Sequence, residues 1–167
     1  MTDMDVRLQQ LIDADALGVR LEVTRGLPTW EFHPVLEHQM QVDRIRGSLK
    51  PTGDTSGGCG CLHFADIYIS FPDGSLKRPD IAIYCRMPEE RDKPVTLVPE
   101  AVVEVVSRGF EAKDIEINPS FYLSQGVKDI LVLNPYTDQV LHFRRDIIHR
   151  FTSPVTIQLE CGCQCNI

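Results

Sequence analysis

Two acids stand inside apolar, strand-like runs: Asp80 in Pro79-Asp80-Ile81-Ala82-Ile83 and Glu104 in Ala101-Val102-Val103-Glu104-Val105-Val106. An ionised carboxylate among valines is costly unless a cation or hydrogen bonds compensate it. Side chains alternate across a strand, so Glu104 shares its face with Val102 and Val106 and points into packed surroundings or a cleft floor. Two such acids on neighbouring strands, followed by Lys113 and Asp114, suit the holding of one or two divalent cations against a phosphate. The plainer alternative is structural, with Asp80 capping a strand start and Glu104 paired to a buried Arg or Lys.

The elements that position these residues follow from periodicity. Val6, Leu8, Leu11, Ile12 and Leu17 keep near-helical spacing, with Gly18 as a stop, so a helix is expected within residues 1–19. Arg20 to Val23 and Thr29 to Phe32 flank Gly26-Leu27-Pro28 and predict a hairpin. Pro34 suits a first helical turn, and Val35, His38, Val42, Ile45 and Leu49 recur at intervals of three and four, which puts His38 on the apolar stripe. Lys50 to Gly60, rich in Gly, Thr and Ser, is expected to be a mobile loop.

Beyond it, His63 to Phe71 alternates, and Pro72-Asp73-Gly74 turns it back toward a strand from Asp80 to Cys85. Ala101 to Ser107 is the next strand. Asn118-Pro119-Ser120 offers an N-cap residue and Pro at the first helical position, with Gly126 past the end of a short helix. Asp129 to Leu133, Gln139 to Arg144 and Val155 to Leu159 close the chain as strands. The order α, β-hairpin, α, β, β, β, α, β, β predicts an α/β (α+β) domain with a central mixed sheet flanked by helices.

At 167 residues the chain fits one domain able to bury a core without staples. No apolar run approaches the roughly 18 residues of a spanning helix, and Met1-Thr2-Asp3-Met4-Asp5 lacks the positive start of a signal peptide. A cytoplasmic protein without a membrane partner is expected. The formal charge of −7 argues against a surface that grips nucleic acid everywhere. It leaves nuclease chemistry open, because an acidic metal site itself adds negative charge.

The six cysteines are Cys59, Cys61, Cys85, Cys161, Cys163 and Cys165. Their C-x-C spacings differ from the C-x2-C knuckles of most structural zinc sites, and reduced thiols are the default expectation in a cytosolic protein. A zinc shared by Cys59, Cys61, Cys161, Cys163 and Cys165 in a regulatory protein is the alternative.

Arg78-Pro79-Asp80-Ile81-Ala82-Ile83, Pro99-Glu100-Ala101-Val102-Val103-Glu104-Val105-Val106-Ser107, Phe121-Tyr122-Leu123-Ser124-Gln125-Gly126-Val127-Lys128-Asp129-Ile130 and Asn134-Pro135 together resemble a bacterial family described as putative restriction endonucleases. This is a branch of the PD-(D/E)XK nuclease superfamily long carried as a domain of unknown function. The match runs from Trp30 to the C-terminus, with the nuclease-like core over residues 30–150, and its specificity lies in the order and spacing of the motifs.

The resemblance implies a restriction-endonuclease-like fold and hydrolysis of DNA phosphodiester bonds. Asp80 would be the acid of the PD motif and Glu104 that of (D/E)XK, binding Mg2+ or Mn2+ with the Val105 carbonyl as a further ligand. The third position of (D/E)XK is Val106, however, and Asn118 stands where many members carry a displaced lysine. Lys113 is the substitute this sequence offers, its flexible stem able to bring an ammonium to the metal-bound water or the phosphate. A homodimer is expected by analogy with enzymes of this fold that cut two strands.

Further cleft candidates are Glu31, His38, Asn118 and Tyr122, each with a plainer role as a surface acid, core histidine, N-cap or packing residue. His142, Arg144, Arg145, His149 and Arg150 form a basic cluster suited to phosphate contact or to a solvated edge strand. Against the nuclease stands a non-catalytic nucleic-acid- or protein-binding module on the same fold, favoured by the missing lysine at Val106 and Asn118.

Overall fold

The computed structural model describes residues 2–53, 58–111 and 113–167. In chain order the elements are α1 (Asp3–Ala16), β1 (Val19–Thr24), β2 (Leu27–Phe32), α2 (Leu36–Ser48), β3 (Lys50–Pro51), β4 (Leu62–Ala65), β5 (Ile69–Ser70), β6 (Leu76–Lys77), β7 (Ile81–Tyr84) and β8 (Ala101–Val105). A π-helix (Lys113–Ile117) then leads into α3 (Asn118–Ser124), followed by β9 (Asp129–Asn134), β10 (Gln139–Arg144), β11 (Ile147–Thr152), β12 (Thr156–Gln158) and β13 (Cys163–Asn166).

Six strands form the central sheet in the order β11-β10-β9-β8-β7-β4. Its pairings are antiparallel except that of β8 with β9, joined through the π-helix and α3. The sheet is therefore mixed, as the sequence predicts. Every residue of β7 and β8 is buried, because both faces are covered. On one face Ile81, Ile83, Val103 and Val105 pack with Val42 and Ile45 of α2 and with the C-terminal hairpin. On the other, Ala82, Tyr84, Val102 and Val106 pack with Phe121 and Tyr122 of α3. The period of two thus places Glu104 on the α3 side, with Val102 and Val106 as its face-mates.

A smaller sheet runs β2-β1-β6-β5. The first hairpin turns at Arg25 and Gly26, both at positive φ, rather than at Gly26-Leu27-Pro28. Two left-handed residues match the twist of a two-residue hairpin, and Pro28 is tolerated on the edge strand β2. In β1 the buried positions are Arg20, Glu22 and Thr24, whereas Val19, Leu21 and Val23 are only half-buried. Its polar face is turned inward.

Several boundaries differ from expectation for physical reasons. Residues 63–71 are not one strand, because Asp66 adopts a left-handed conformation that ends β4, and β5 joins the smaller sheet. The turn at 72–74 accordingly returns the chain to β6, while β7 pairs with β4. Asn118 is not the N-cap: Ile117 flanks α3 and the π-helix continues into it, so Asn118 is freed for another partner. Gly126, at positive φ, follows the end of α3 as expected. β11 and β13 are additional strands, and β11 is exposed along its length. Within the loop expected to be mobile, residues 54–57 lie outside the described residues.

The cysteines are not all reduced thiols. Cys59 is paired with Cys85 and Cys61 with Cys163, leaving Cys161 and Cys165 free. The loop 58–61, the end of β7 and the β12–β13 turn converge there, which the spacing along the chain could not reveal.

Candidate active site

The polar inner face of the small sheet covers the ends of β7 and β8. It brings Arg20, Glu22 and Thr24 from β1, Glu31 from β2 and Lys77 from β6 against Asp80 and Glu104. His38 reaches the same place from α2, and Lys113, Asp114, Asn118 and Tyr122 come from the π-helix and α3. All of these side chains are buried. Sequence reasoning named Asp80, Glu104, Lys113, Glu31, His38, Asn118 and Tyr122, and the fold gathers them all.

Asp80 is the most heavily engaged acid. Arg20 Nη1 donates to its Oδ1 at 2.9 Å, and its Oδ2 lies 3.1 Å from His38 Nε2 and accepts from the Val105 N–H at 2.7 Å. Burial opposes its charge, but Arg20 and His38 outweigh burial and hold the carboxyl far below the ordinary range. His38 is raised in turn: burial disfavours its charge, and the hydrogen bond and charge of Asp80 prevail. The lone histidine on an apolar stripe thus belongs to the site. Val105 meets Asp80 through its amide N–H.

Glu104 has a different environment. Tyr122 donates its hydroxyl to Oε1 at 3.0 Å, and Oε2 lies 3.3 Å from the Asp80 N–H. Burial, then Asp80 and Asp114, push its carboxyl well above the ordinary range, with Lys113 opposing. Asp114 is likewise pushed up to about 8 by burial, against Lys113, with Asp80, Glu31 and Glu22 adding to the rise.

The two lysines are held differently. Lys113 is no solvated loop residue: its Nζ lies 3.0 Å from both Glu22 Oε1 and Glu31 Oε1 and 4.0 Å from Asp114 Oδ1. Burial lowers its pKa, but these carboxylates raise it above the ordinary lysine range overall. Glu31, expected as a surface acid, is buried against it. Lys77 was not foreseen. Its Nζ donates to Asn118 Oδ1 at 2.8 Å and Thr24 Oγ1 at 2.9 Å, and it lies over the rings of Phe121 and Tyr122. Burial lowers its pKa, only partly countered by Glu22 at 3.7 Å.

Lys77 therefore places an ammonium beside Asn118, the position from which the displaced lysine would project. Three residues before Asp80, in a short strand, it carries no signal that separates it from a surface lysine. Glu22 and Arg20 were missed for a related reason, whereas Asp114 was named beside Lys113 and is buried with it. The alternation of β1 shows a polar face, and polar faces ordinarily meet solvent.

The charge balance describes what the site can hold. Glu22, Glu31, Asp80, Glu104 and Asp114 are five carboxyls, against the basic side chains Arg20, Lys77 and Lys113, with His38 a fourth when protonated. Burial first, and then this surplus, favours the protonated forms of Glu104 and Asp114, and a divalent cation would compensate the surplus equally well. Carboxylate oxygens are the right donors for Mg2+ or Mn2+. The arrangement shown is the ion-paired one, and a cation would have to take Asp80 from Arg20. Asp80 and His38 border a space of only about 10 Å³ with Arg20 and Asp66, and an outer cleft of about 280 Å³ lined by Asp15, Arg20, His33, Asp66 and Arg78 shares Arg20 and Asp66 with it.

Three members of the expected basic cluster are already paired with acids. His142 Nε2 and Arg144 Nε each lie 2.6 Å from Asp129 Oδ1, and Arg145 pairs with Glu160 at 2.6 Å. His149 and Arg150 lie on the exposed edge strand β11.

Similarity to known proteins accords with this architecture. A crystal structure of a putative nuclease belonging to DUF820 from Anabaena variabilis superposes with a TM-score of 0.65 at 17% sequence identity, covering 86% of this chain and 83% of that one. The fold is restriction-endonuclease-like. No curated protein matches the chain, and no helix among the described residues is long and apolar enough to cross a membrane. The model of the Uma2 family, whose description is "Putative restriction endonuclease", matches residues 8–162, and the chain belongs to that family.

Proposed function

We propose that this protein is a Mg2+- or Mn2+-dependent nuclease that hydrolyses DNA phosphodiester bonds at the Asp80–Glu104 site. The observation that carries this is the surplus of buried carboxyls over cations around two acids on adjacent strand ends. Such a surplus is unfavourable for stability alone and useful for gathering a divalent cation. Asp80 and Glu104 would hold the ion, with the Val105 carbonyl as a further oxygen. Bound there, it would lower the pKa of a water and offset charge on the scissile phosphate.

The chain's own residues divide the remaining work. Tyr122 fixes one oxygen of Glu104, leaving the other for the ion. Lys113, held protonated by its carboxylate neighbours, supplies fixed positive charge to the phosphate. Lys77, whose pKa burial lowers, is the amine better suited to accept a proton from the attacking water at Nζ. Arg20 and His38 keep Asp80 ionised and its oxygens oriented, and Asp80 would exchange Arg20 for the ion.

Calorimetric titration with Mg2+ or Mn2+ tests this, followed by cleavage of plasmid DNA by whichever metal form binds. Binding by the wild type, abolished in Asp80→Ala and Glu104→Ala together with cleavage, is the expected result. Full cleavage by Asp80→Ala would refute the assignment. One observation favours a second reading: Arg20 already satisfies Asp80 Oδ1 at 2.9 Å, as in a binding module with structural acids. A folded wild type that binds no divalent ion would select that module.

A further inference from the structure

At the end of β7 opposite Asp80, five of the six cysteines converge from three separate segments. Cys59 and Cys61 lie in the loop before β4, Cys85 directly follows β7, and Cys161 and Cys163 flank the turn into β13. Cys59 Sγ lies 3.6 Å from Cys163 Sγ, a contact between the two disulfides rather than within one. The Sγ atoms of Cys59, Cys161 and Cys163 all lie within 4.8 Å of one another. Cys85 is bonded to Cys59 and Cys61 to Cys163, so a fourth and a fifth sulfur are adjacent to the same point.

Two disulfides alone do not account for this crowding. A covalent pair needs only its own two sulfurs, whereas here the pairs touch each other and a further thiol, Cys161, stands against both. A tetrahedral zinc with Zn–S bonds of about 2.3 Å sets its thiolates about 3.8 Å apart, close to the spacing between Cys59 and Cys163. Soft thiolates also select for zinc over the hard cations suited to the carboxylate site.

We propose that these cysteines form a redox-gated zinc site, with thiolate ligands in the reduced protein and the two disulfides as its oxidised form. Cys59, Cys161 and Cys163 supply three ligands and Cys61 or Cys85 the fourth. A dithiol reductant opens each pair by thiol–disulfide exchange, giving two protein thiols while the reductant closes to its own disulfide. Zn2+ then binds four thiols with release of four protons. Oxidation reverses this: each pair gives up two electrons to a disulfide or peroxide oxidant, and the ion is released. In either state the site ties the loop before β4 and the C-terminal hairpin to the central sheet.

The test uses the full chain reduced with dithiothreitol under anaerobic conditions, given Zn2+, freed of excess ion and analysed for metal. Wild type should retain about one equivalent and lose it on treatment with hydrogen peroxide. Cys161→Ser is the informative variant, because Cys161 belongs to neither disulfide. It should lose zinc while forming both disulfides on oxidation, verified by mapping the disulfide-linked peptides, so loss of metal is separated from loss of fold. Cobalt in place of zinc should give tetrahedral thiolate bands in wild type alone. A folded, reduced wild type that retains no zinc would overturn the proposal, as would Cys161→Ser with full zinc content, or iron in place of zinc in protein purified without chelators.

Discussion

Glu104 and Asp129 make an instructive pair, since both are buried acids on adjacent strands, β8 and β9, of the same sheet. Asp129 accepts from Arg144 and the Glu160 N–H and lies within hydrogen-bond distance of His142. Burial opposes its charge, and these partners overcome burial to keep its carboxyl below the ordinary range. Glu104 has a phenolic donor, a longer bond from the Asp80 N–H and acidic neighbours, and burial drives it the other way. Burial of an acid is therefore not the mark of a functional site. A carboxylate with enough donors is architecture, and one left short of positive charge is poised for a ligand.

The largest separation between the two regions should appear in activity. Asp80→Ala is expected to lower DNA cleavage by about 10³-fold or more, through loss of the ion and of the charge stabilisation it provides. Asp129→Asn should leave the cleavage rate per folded molecule within about twofold of wild type, because its partners lie outside the site. Equal losses in both, measured as rates on plasmid DNA with folded fractions matched by circular dichroism, would break the distinction.

Stability should invert the order. Asp129→Asn leaves Arg144 and His142 without their carboxylate and is expected to cost about 3 kcal/mol in urea unfolding. Glu104→Gln mimics the protonated acid and removes repulsion from Asp80, so metal-free protein should gain about 1 kcal/mol. Destabilisation by both substitutions would mean that Glu104 is balanced after all.

The smallest effect is one of pH. Carboxyls raised in the folded state, Glu104 and Asp114, bind protons more tightly folded than unfolded, and the stability they confer is complete only below the ordinary carboxylate range. It is lost as pH rises through the folded value, about 8 for Asp114. The melting temperature of metal-free protein should therefore fall between about pH 5 and about pH 9, with Mg2+ flattening the slope. Asp80 and Glu22, both lowered, act oppositely, and their contribution disappears only in strong acid. A metal-free melting temperature that does not fall with pH would count against the unbalanced site.

How much of this was legible in the sequence depended on contrast. Asp80 and Glu104 stand out because charge interrupts an apolar run, and the strands carrying them are placed by those same runs. His38 fell on the correct helix face, though its partner could not be named. Glu22 and Lys77 were invisible because polar residues on a short strand read as solvent-facing, and only the packing of one sheet over the ends of another turns that face inward. Asp129 read only as the start of a strand after Lys128, and its three donors, drawn from β10 and the residue after Leu159, reveal its role. The cysteine pairing was hidden too, because segments distant in sequence meet only after the sheet has formed.

The π-helix from Lys113 to Ile117 makes the site vulnerable to a kind of change that substitutions do not probe. A π turn accommodates a residue more than an α-helix of the same rise, and successive α-helical residues advance by about 100°. Deleting one residue there would relax the turn to ordinary helix and swing Lys113 by about that angle, away from Glu22 and Glu31. The site should thus tolerate substitution of the exposed Glu116 and Ile117 yet be lost by a single codon's deletion, so the length of the segment, as much as its composition, is under constraint.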